Sequence, residues 1–300
     1  MNTLLVTGAH GFVAGSVLTQ ARAAGWEVHA LSRGEPLLPP AAATWHRLDP
    51  LDPAALAGLF SKTPPQAVIH AAAAADIDVC QKQPELARAV NVEFTRTLAT
   101  LCARHATRLV FCSTDTVFDG DHAPYEEAAA PHPVNFYGET KVEAERIVLA
   151  SGARAVVARL ALVMGYPVLG AGNSFFSRLE ASLRAGRQVA VPAHEVRTPV
   201  DVLTLGAALV ELAGNSLDGI VHLAGNEALN RLELTQRIGV RMGFPASLVV
   251  AAEAAPTGRA PRPRDVSLDN RKARQLLRTP MLDFEAALAR LIPNPPAPQP

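Results

Sequence analysis

Leu4-Leu5-Val6-Thr7-Gly8-Ala9-His10-Gly11-Phe12-Val13-Ala14-Gly15 is the stretch on which the reading of the fold turns. An apolar run leads into a glycine-bearing loop, and Val17, Leu18 and Ala21 continue it at helical spacing. Glycines at 8 and 11 let the backbone turn tightly and come close to a ligand. The helix that follows offers unpaired N–H groups and the positive end of its dipole to an anion. Thr7-Gly8-x-x-Gly11-x-x-Ala14 therefore has the spacing of a dinucleotide phosphate loop, with Ala14 where a third glycine is usual and Gly15 next to it. The bland alternative is a strand–turn–helix whose glycines serve only the turn. Placement between a predicted strand and a predicted helix favours the cofactor. Gly8, His10, Gly11, Phe12 and Val13 are the loop positions expected beside it, with His10 facing solvent rather than acting as a ligand.

Working outward, Val28–Leu31, Ala67–His70, Leu109–Cys112 and Val156–Leu162 read as further buried strands. Helical stretches are predicted at Pro53–Phe60, Pro84–Arg104 and around Tyr137. Strands alternating with amphipathic helices predict an α/β fold, a Rossmann-type doubly wound parallel sheet. After Leu162 the pattern loosens into a glycine- and proline-marked loop. A helix near Ser174–Ala185, a strand Gln188–Val191, a helix Val202–Ala213, a strand Gly219–Leu223 and then small helices are predicted. The expected division is a nucleotide-binding domain at 1–160, its sheet completed by 201–225, and a smaller C-terminal substrate-binding lobe at 161–300. The proline-rich end, 293–300, is expected to form a loose tail.

Composition excludes several classes. Lys+Arg and Asp+Glu both number 28, so no charge excess points to nucleic acid or a membrane surface. The apolar run Ala67–Ala75 is too short to span a bilayer, and no signal peptide is visible, so a cytoplasmic protein is expected. Cys80, Cys102 and Cys112 form no C-x-x-C pair, which fits reduced thiols and no metal site.

Two stretches carry chemistry. After the second strand stand Ser32 and Arg33, a hydroxyl and a guanidinium suited to a 2′-phosphate, where an acidic residue would select the unphosphorylated ribose. That favours NADP(H), with NAD(H) possible; an exposed turn arginine is the alternative. Asp49 is placed to meet the adenine edge, and Asp52 to cap the helix begun by Pro53. In Tyr137-Gly138-Glu139-Thr140-Lys141, the tyrosine and lysine lie four apart on one helix face. A phenol with a pKa of about 10 is a poor proton donor-acceptor at neutral pH, and a neighbouring ammonium would lower it. Alone, such a pair is common on solvated helices.

Together with Ser113-Thr114-Asp115-Thr116, Val68-Ile69-His70-Ala71-Ala72, Asn91-Val92, Pro124-Tyr125-x-Glu127 and Arg262-Pro263-Arg264-Asp265, these motifs resemble the extended short-chain dehydrogenase/reductase superfamily. Within it the chain is most similar to the dTDP-4-dehydrorhamnose reductase family. The resemblance covers most of the chain and implies a catalytic set of Thr114, Tyr137 and Lys141. Thr114 would position a substrate carbonyl, Tyr137 would protonate it, and Lys141 would lower the tyrosine pKa and hold the nicotinamide ribose. Ala71 and Ala72 would lie against the cofactor, with Tyr137 and Lys141 completing its site. Arg197, in Arg197-Thr198-Pro199-Val200-Asp201, and Arg262 would meet a nucleotide diphosphate. The alternative is surface arginines paired with Asp201 or Asp265.

The chain departs from its relatives where Thr116 stands. The acid/base glutamate of sugar-nucleotide dehydratases belongs there, which disfavours dehydration. The rhamnose-pathway reductases more often carry an aromatic there and Gly-Gln-Leu-Gly in the first loop. The resulting expectation is an NADPH-preferring reductase of a keto sugar nucleotide that binds a small-molecule substrate, with a homodimer allowed as its assembly. An NAD-dependent sugar-nucleotide epimerase stands as one alternative. A non-catalytic binding subunit, like relatives resembling the methionine adenosyltransferase regulatory subunit, is the other.

Overall fold

A computed structural model describes residues 2–39, 42–170, 174–252 and 258–294. Seven strands form the main sheet: β1 (Thr3–Thr7), β2 (Glu27–Ser32), β3 (Thr44–Arg47), β4 (Ala67–His70), β5 (Arg108–Thr114), β6 (Ala155–Leu160) and β7 (Gly219–Leu223). All pairings are parallel, in the order β7-β6-β5-β4-β1-β2-β3. The order reverses between β1 and β4, which opens a crevice beyond their C-terminal ends.

Period-two side-chain alternation explains why the strands read as continuous apolar runs. Leu4, Val6, Ile69, Val110 and Val156 pack on one face with Val17, Leu18, Leu205 and Leu209 from helices Phe12–Ala23 and Val202–Gly214. Leu5, Val68, Leu109, Phe111 and Val157 pack on the other with Leu56, Phe60, Phe94, Leu98 and Val148 from helices Pro53–Lys62, Phe94–Arg104 and Phe136–Ala150. A third cluster gathers Met164, Phe176, Leu183, Leu234, Ile238, Val249, Phe284 and Leu288. Its scaffold is the helices Phe175–Arg184, Arg231–Arg241 and Phe284–Leu291, with Val189–Val191 paired parallel to Val249–Ala251.

Most expected elements are present, and Gly219–Leu223 joins the main sheet beside β6. Asp52 accepts hydrogen bonds from the amides of Ala54 and Ala55 as the cap of the helix begun by Pro53. Three expectations need correction. The stretch Pro84–Arg104 is not one regular helix, because a π turn at Ala89–Glu93 interrupts it. Strand β3 was missing from the sequence reading, since four polar or half-exposed residues, Thr44-Trp45-His46-Arg47, carry little periodic signal. Arg231–Arg241 is an 11-residue helix rather than a small one. Residues 295–300 of the expected tail lie outside the described residues. No described helix is long and apolar enough to cross a membrane.

Candidate active site

The phosphate-loop reading depends on Gly8. It sits at φ +69°, and a Cβ there would stand 2.7 Å from Ala72 Cα, so only glycine lets β1 end against the turn after β4. A cleft of about 360 Å³ opens at this point, lined among others by Gly8, His10, Gly11, Ser32, Arg33, Asp49, Ala71 and Ala72. Eight of the cofactor positions named from sequence thus share one cleft. Phe12, Val13, Tyr137 and Lys141 do not line it; Phe12 and Val13 begin the helix behind Gly11. Leu51, Leu86 and Val90 complete its apolar wall, and no motif marked them in the sequence.

The positions at the ends of β2 and β3 differ in how they are used. Arg33 is exposed at the cleft. The Ser32 hydroxyl is engaged within the protein: it accepts from Trp45 Nε1 at 3.1 Å and from the Gly34 amide at 3.2 Å. Asp49 is exposed and accepts from the Leu51 amide at 3.0 Å. His10 is exposed as expected, with its ring edge-on to Trp45 at 5.3 Å.

At the C-terminal end of β5, Thr114, Tyr137 and Lys141 are all buried. Asn135 caps their helix by accepting from the Gly138 amide at 2.9 Å. Gly138 allows the helix to start against the turn after β5, since a Cβ would meet Thr116 O at 2.5 Å and Pro133 Cβ at 2.7 Å. The Thr114 hydroxyl lies 3.0 Å from Thr116 Oγ1, accepts from the Thr116 amide and donates to Asp115 at 3.2 Å, so it also caps the short turn Asp115–Val117.

Burial pushes the Tyr137 phenol above its ordinary value, and the Asp115 carboxylate adds to the rise. The Thr114 hydroxyl is the largest influence in the other direction. Lys141 Nζ donates to Cys112 O at 2.7 Å and lies over the Phe111 ring at 4.1 Å. Burial lowers Lys141 to about 8, opposed by Cys112 and Glu145.

A shell of polar residues, mostly unmarked in the sequence reading, holds this set. Asn91, inside the π turn, donates to Ala74 O and Thr140 Oγ1 and accepts from the Ala74 amide, joining the loop after β4 to the Tyr137 helix. Ser113 donates to Glu145 at 2.5 Å, and Arg159 grips both Glu145 oxygens at 3.0 and 2.8 Å. Beneath the loop, the Ala72 amide donates to Thr7 Oγ1, which bonds His70 Nδ1 at 2.7 Å. His70 Nε2 lies 3.0 Å from Thr95 Oγ1, whose proton goes to Asn91 O. That order makes Nε2 the protonated nitrogen of His70.

Neither expected diphosphate arginine is free. Arg262 pairs with Asp78 at 2.9 Å and donates to Ala260 O, instead of pairing with Asp265. Arg197 is buried, donates to Val196 O, Arg264 O and Pro263 O, and lies 3.7 Å from Asp115. It does stand beside Thr114, through that aspartate. Residues 258–270 run past the same end of the sheet. Asn135 donates to Pro261 O, and the amides of Ala260 and Val196 donate to Asp78 and Arg264 O.

The sheet order and the Gly8 cleft define a Rossmann-like α/β protein of the kind that places a nucleotide at the crevice between β1 and β4. The model of the RmlD substrate binding domain matches residues 1–295, and the chain belongs to that family. Among curated relatives, methionine adenosyltransferase 2 subunit beta of Xenopus laevis is 32% identical over 281 residues, covering 91% of this chain and 81% of its own. The probable low-salt glycan biosynthesis reductase Agl14 of Haloferax volcanii is 30% identical over 267 residues, 88% of each chain. A hypothetical dTDP-4-dehydrorhamnose reductase from Sulfolobus tokodaii superposes with TM-score 0.82 at 28% identity, over 95% of this chain and 97% of its own. The dTDP-4-dehydrorhamnose reductase of Bacillus anthracis, in complex with NADP, matches in fold with TM-score 0.86 at 22% identity, over 97% and 99%.

Proposed function

We propose that this chain is an NADPH-preferring reductase of a keto sugar nucleotide. The observation that supports the reading is that Thr114, Tyr137 and Lys141 are all buried around the C-terminal end of β5, with Thr114 and Tyr137 hydrogen-bonded and Lys141 on Cys112 O, beside the strand that carries Ala71 and Ala72. The cleft fits a dinucleotide: a glycine cradle, a helix N-terminus behind it, and an exposed arginine at the end of β2. Bound there, the nicotinamide would supply hydride. Gly8, Gly11 and the first turn of helix Phe12–Ala23 would hold the pyrophosphate, Arg33 the 2′-phosphate, and Ala71 and Ala72 would leave room for the chain of the cofactor. Tyr137, kept protonated by burial, would give its proton to the substrate oxygen as hydride arrives. Thr114 would orient that oxygen, and Lys141 would neutralise the tyrosinate left behind. Residues 161–300, outside the β7 region, would carry the substrate side.

The test is a titration with NADPH and NADH, followed by NADPH oxidation over a panel of keto sugar nucleotides. Turnover on one of them that falls at least 100-fold in Tyr137→Phe is the expected result. Near-normal turnover by that variant would remove the assigned role. Preference for NADH would remove the role of Arg33.

A second reading is favoured by the names of the curated relatives, several of which are methionine adenosyltransferase 2 subunit beta. In that reading the chain binds the dinucleotide and modulates a partner enzyme. It predicts co-elution with a methionine adenosyltransferase catalytic subunit and a changed rate of that enzyme, both indifferent to Tyr137→Phe.

A further inference from the structure

Arg231 is a cation that the fold alone does not account for. It opens the helix Arg231–Arg241, where the dipole disfavours positive charge. Its Nε is shut off from solvent and has no hydrogen-bond partner among the described residues, and its guanidinium lies 4.9 Å over the Phe175 ring. The charges that act on it are Glu195, Arg197, Arg259 and Asp115. Both carboxylates are already matched: Glu195 pairs with Arg259 at 2.8 Å, and Asp115 lies 3.7 Å from Arg197. Three guanidiniums thus share two carboxylates, and the surplus one is Arg231, whose buried Nε has no hydrogen bond among the described residues. Burying a guanidinium N–H without a partner is unfavourable.

The backbone places this surplus charge next to the candidate chemistry. Arg197 and Leu229 pair across an antiparallel bridge, and the Arg231 amide donates to Glu195 O at 2.8 Å. Arg197 then reaches Asp115, the neighbour of Thr114. A planar guanidinium with open donors matches the paired oxygens of a phosphate or a carboxylate.

We infer that Arg231 is the primary anion seat of the substrate site, completed by a phosphate or carboxylate group of the substrate, while Arg197 and Arg259 hold the surrounding carboxylates. The inference deepens the sugar-nucleotide reading and rests on it only for the identity of the anion.

The experiment compares wild type with Arg231→Met, which keeps an unbranched side chain over Phe175. Both are titrated with pyrophosphate, UDP-glucose and UDP-glucuronic acid by calorimetry, and their Tm is measured with no added ligand. NADPH binding by both checks that the Gly8 cleft is unchanged. Anion binding at that cleft persists in both proteins, so their difference isolates Arg231. The expected result is at least tenfold weaker binding in the variant with an unchanged or higher Tm. Weakening with all three anions assigns the seat to a diphosphate. Weakening with UDP-glucuronic acid alone assigns it to a carboxylate. Weakening with pyrophosphate when neither nucleotide sugar binds wild type keeps the seat and removes the sugar-nucleotide reading. Undiminished binding in the variant overturns the inference, whatever happens to Tm, as does a wild type that binds none of the three.

Discussion

His70 shows how much a single side chain can tie together. Its ring joins Thr7, at the end of β1, to Thr95 and through it to Asn91 in the π turn. Burial, with a contribution from Lys141, lowers its pKa to about 3. The unfolded chain takes up a proton below about pH 6.5 that the folded chain refuses until about pH 3. Stability contributed by neutral His70 is therefore full above pH 6.5 and is lost as pH falls through that window. At pH 5 the loss is about 2 kcal/mol for this group. His70→Gln should shrink the drop in unfolding free energy between pH 7 and pH 5 by about that amount, read from urea midpoints. Part of the slope that remains would come from His222, which burial lowers to about 3 in the same way, and from His46, which burial also lowers. Gly138 is a second residue of consequence. Gly138→Ala should cost about 1–3 kcal/mol by forcing the helix off the Thr116 turn. Because the displaced helix carries Tyr137, any reductase activity should fall more than stability does, which paired activity and Tm measurements would reveal.

Among the elements, the junction of β5, β6 and the Tyr137 helix is fixed by one buried ion pair. Arg159 and Glu145 are 1% and 2% exposed, and Ser113 completes the carboxylate's bonding. Removing one partner leaves an uncompensated buried charge. Arg159→Met should therefore destabilise by about 3–5 kcal/mol, and pairing it with Glu145→Leu should recover part of that loss in urea unfolding. The sequence made these elements legible through apolar strands and a glycine loop, but this bracing escaped it. Glu145 and Arg159 are ordinary charged letters until the sheet brings them together. The same limit explains Arg197 and Arg262, whose partners in the fold the sequence did not reveal. A guanidinium's attraction to anions is local, whereas Asp78 and Asp115 come to it only through the folded chain. Strand β3 failed differently, because four residues at the sheet edge need no full apolar pattern to pair.

Seen as a whole molecule, the chain leaves the main sheet after β6 and returns to it with helix Val202–Gly214 and β7. A fragment ending at residue 160 would lose both, baring the Val17–Leu18 face of helix Phe12–Ala23 and the open edge of β6. Such a fragment should aggregate or lack cooperative thermal unfolding, while the full chain stays soluble under the same conditions; size-exclusion chromatography and circular dichroism would tell them apart. The late return has a consequence in time. Asp78 meets Arg262 across 184 residues, and Asn135 meets Pro261 across 126. At about 5–20 residues per second of synthesis, Asp78 waits about 10–40 s for its partner to be made. The phosphate loop can close early from neighbouring strands, but the rim beside Tyr137 has no second half until then. During that interval a newborn chain would hold a nucleotide cradle with no finished substrate wall, and it would depend on chaperones to keep that open side from the wrong company.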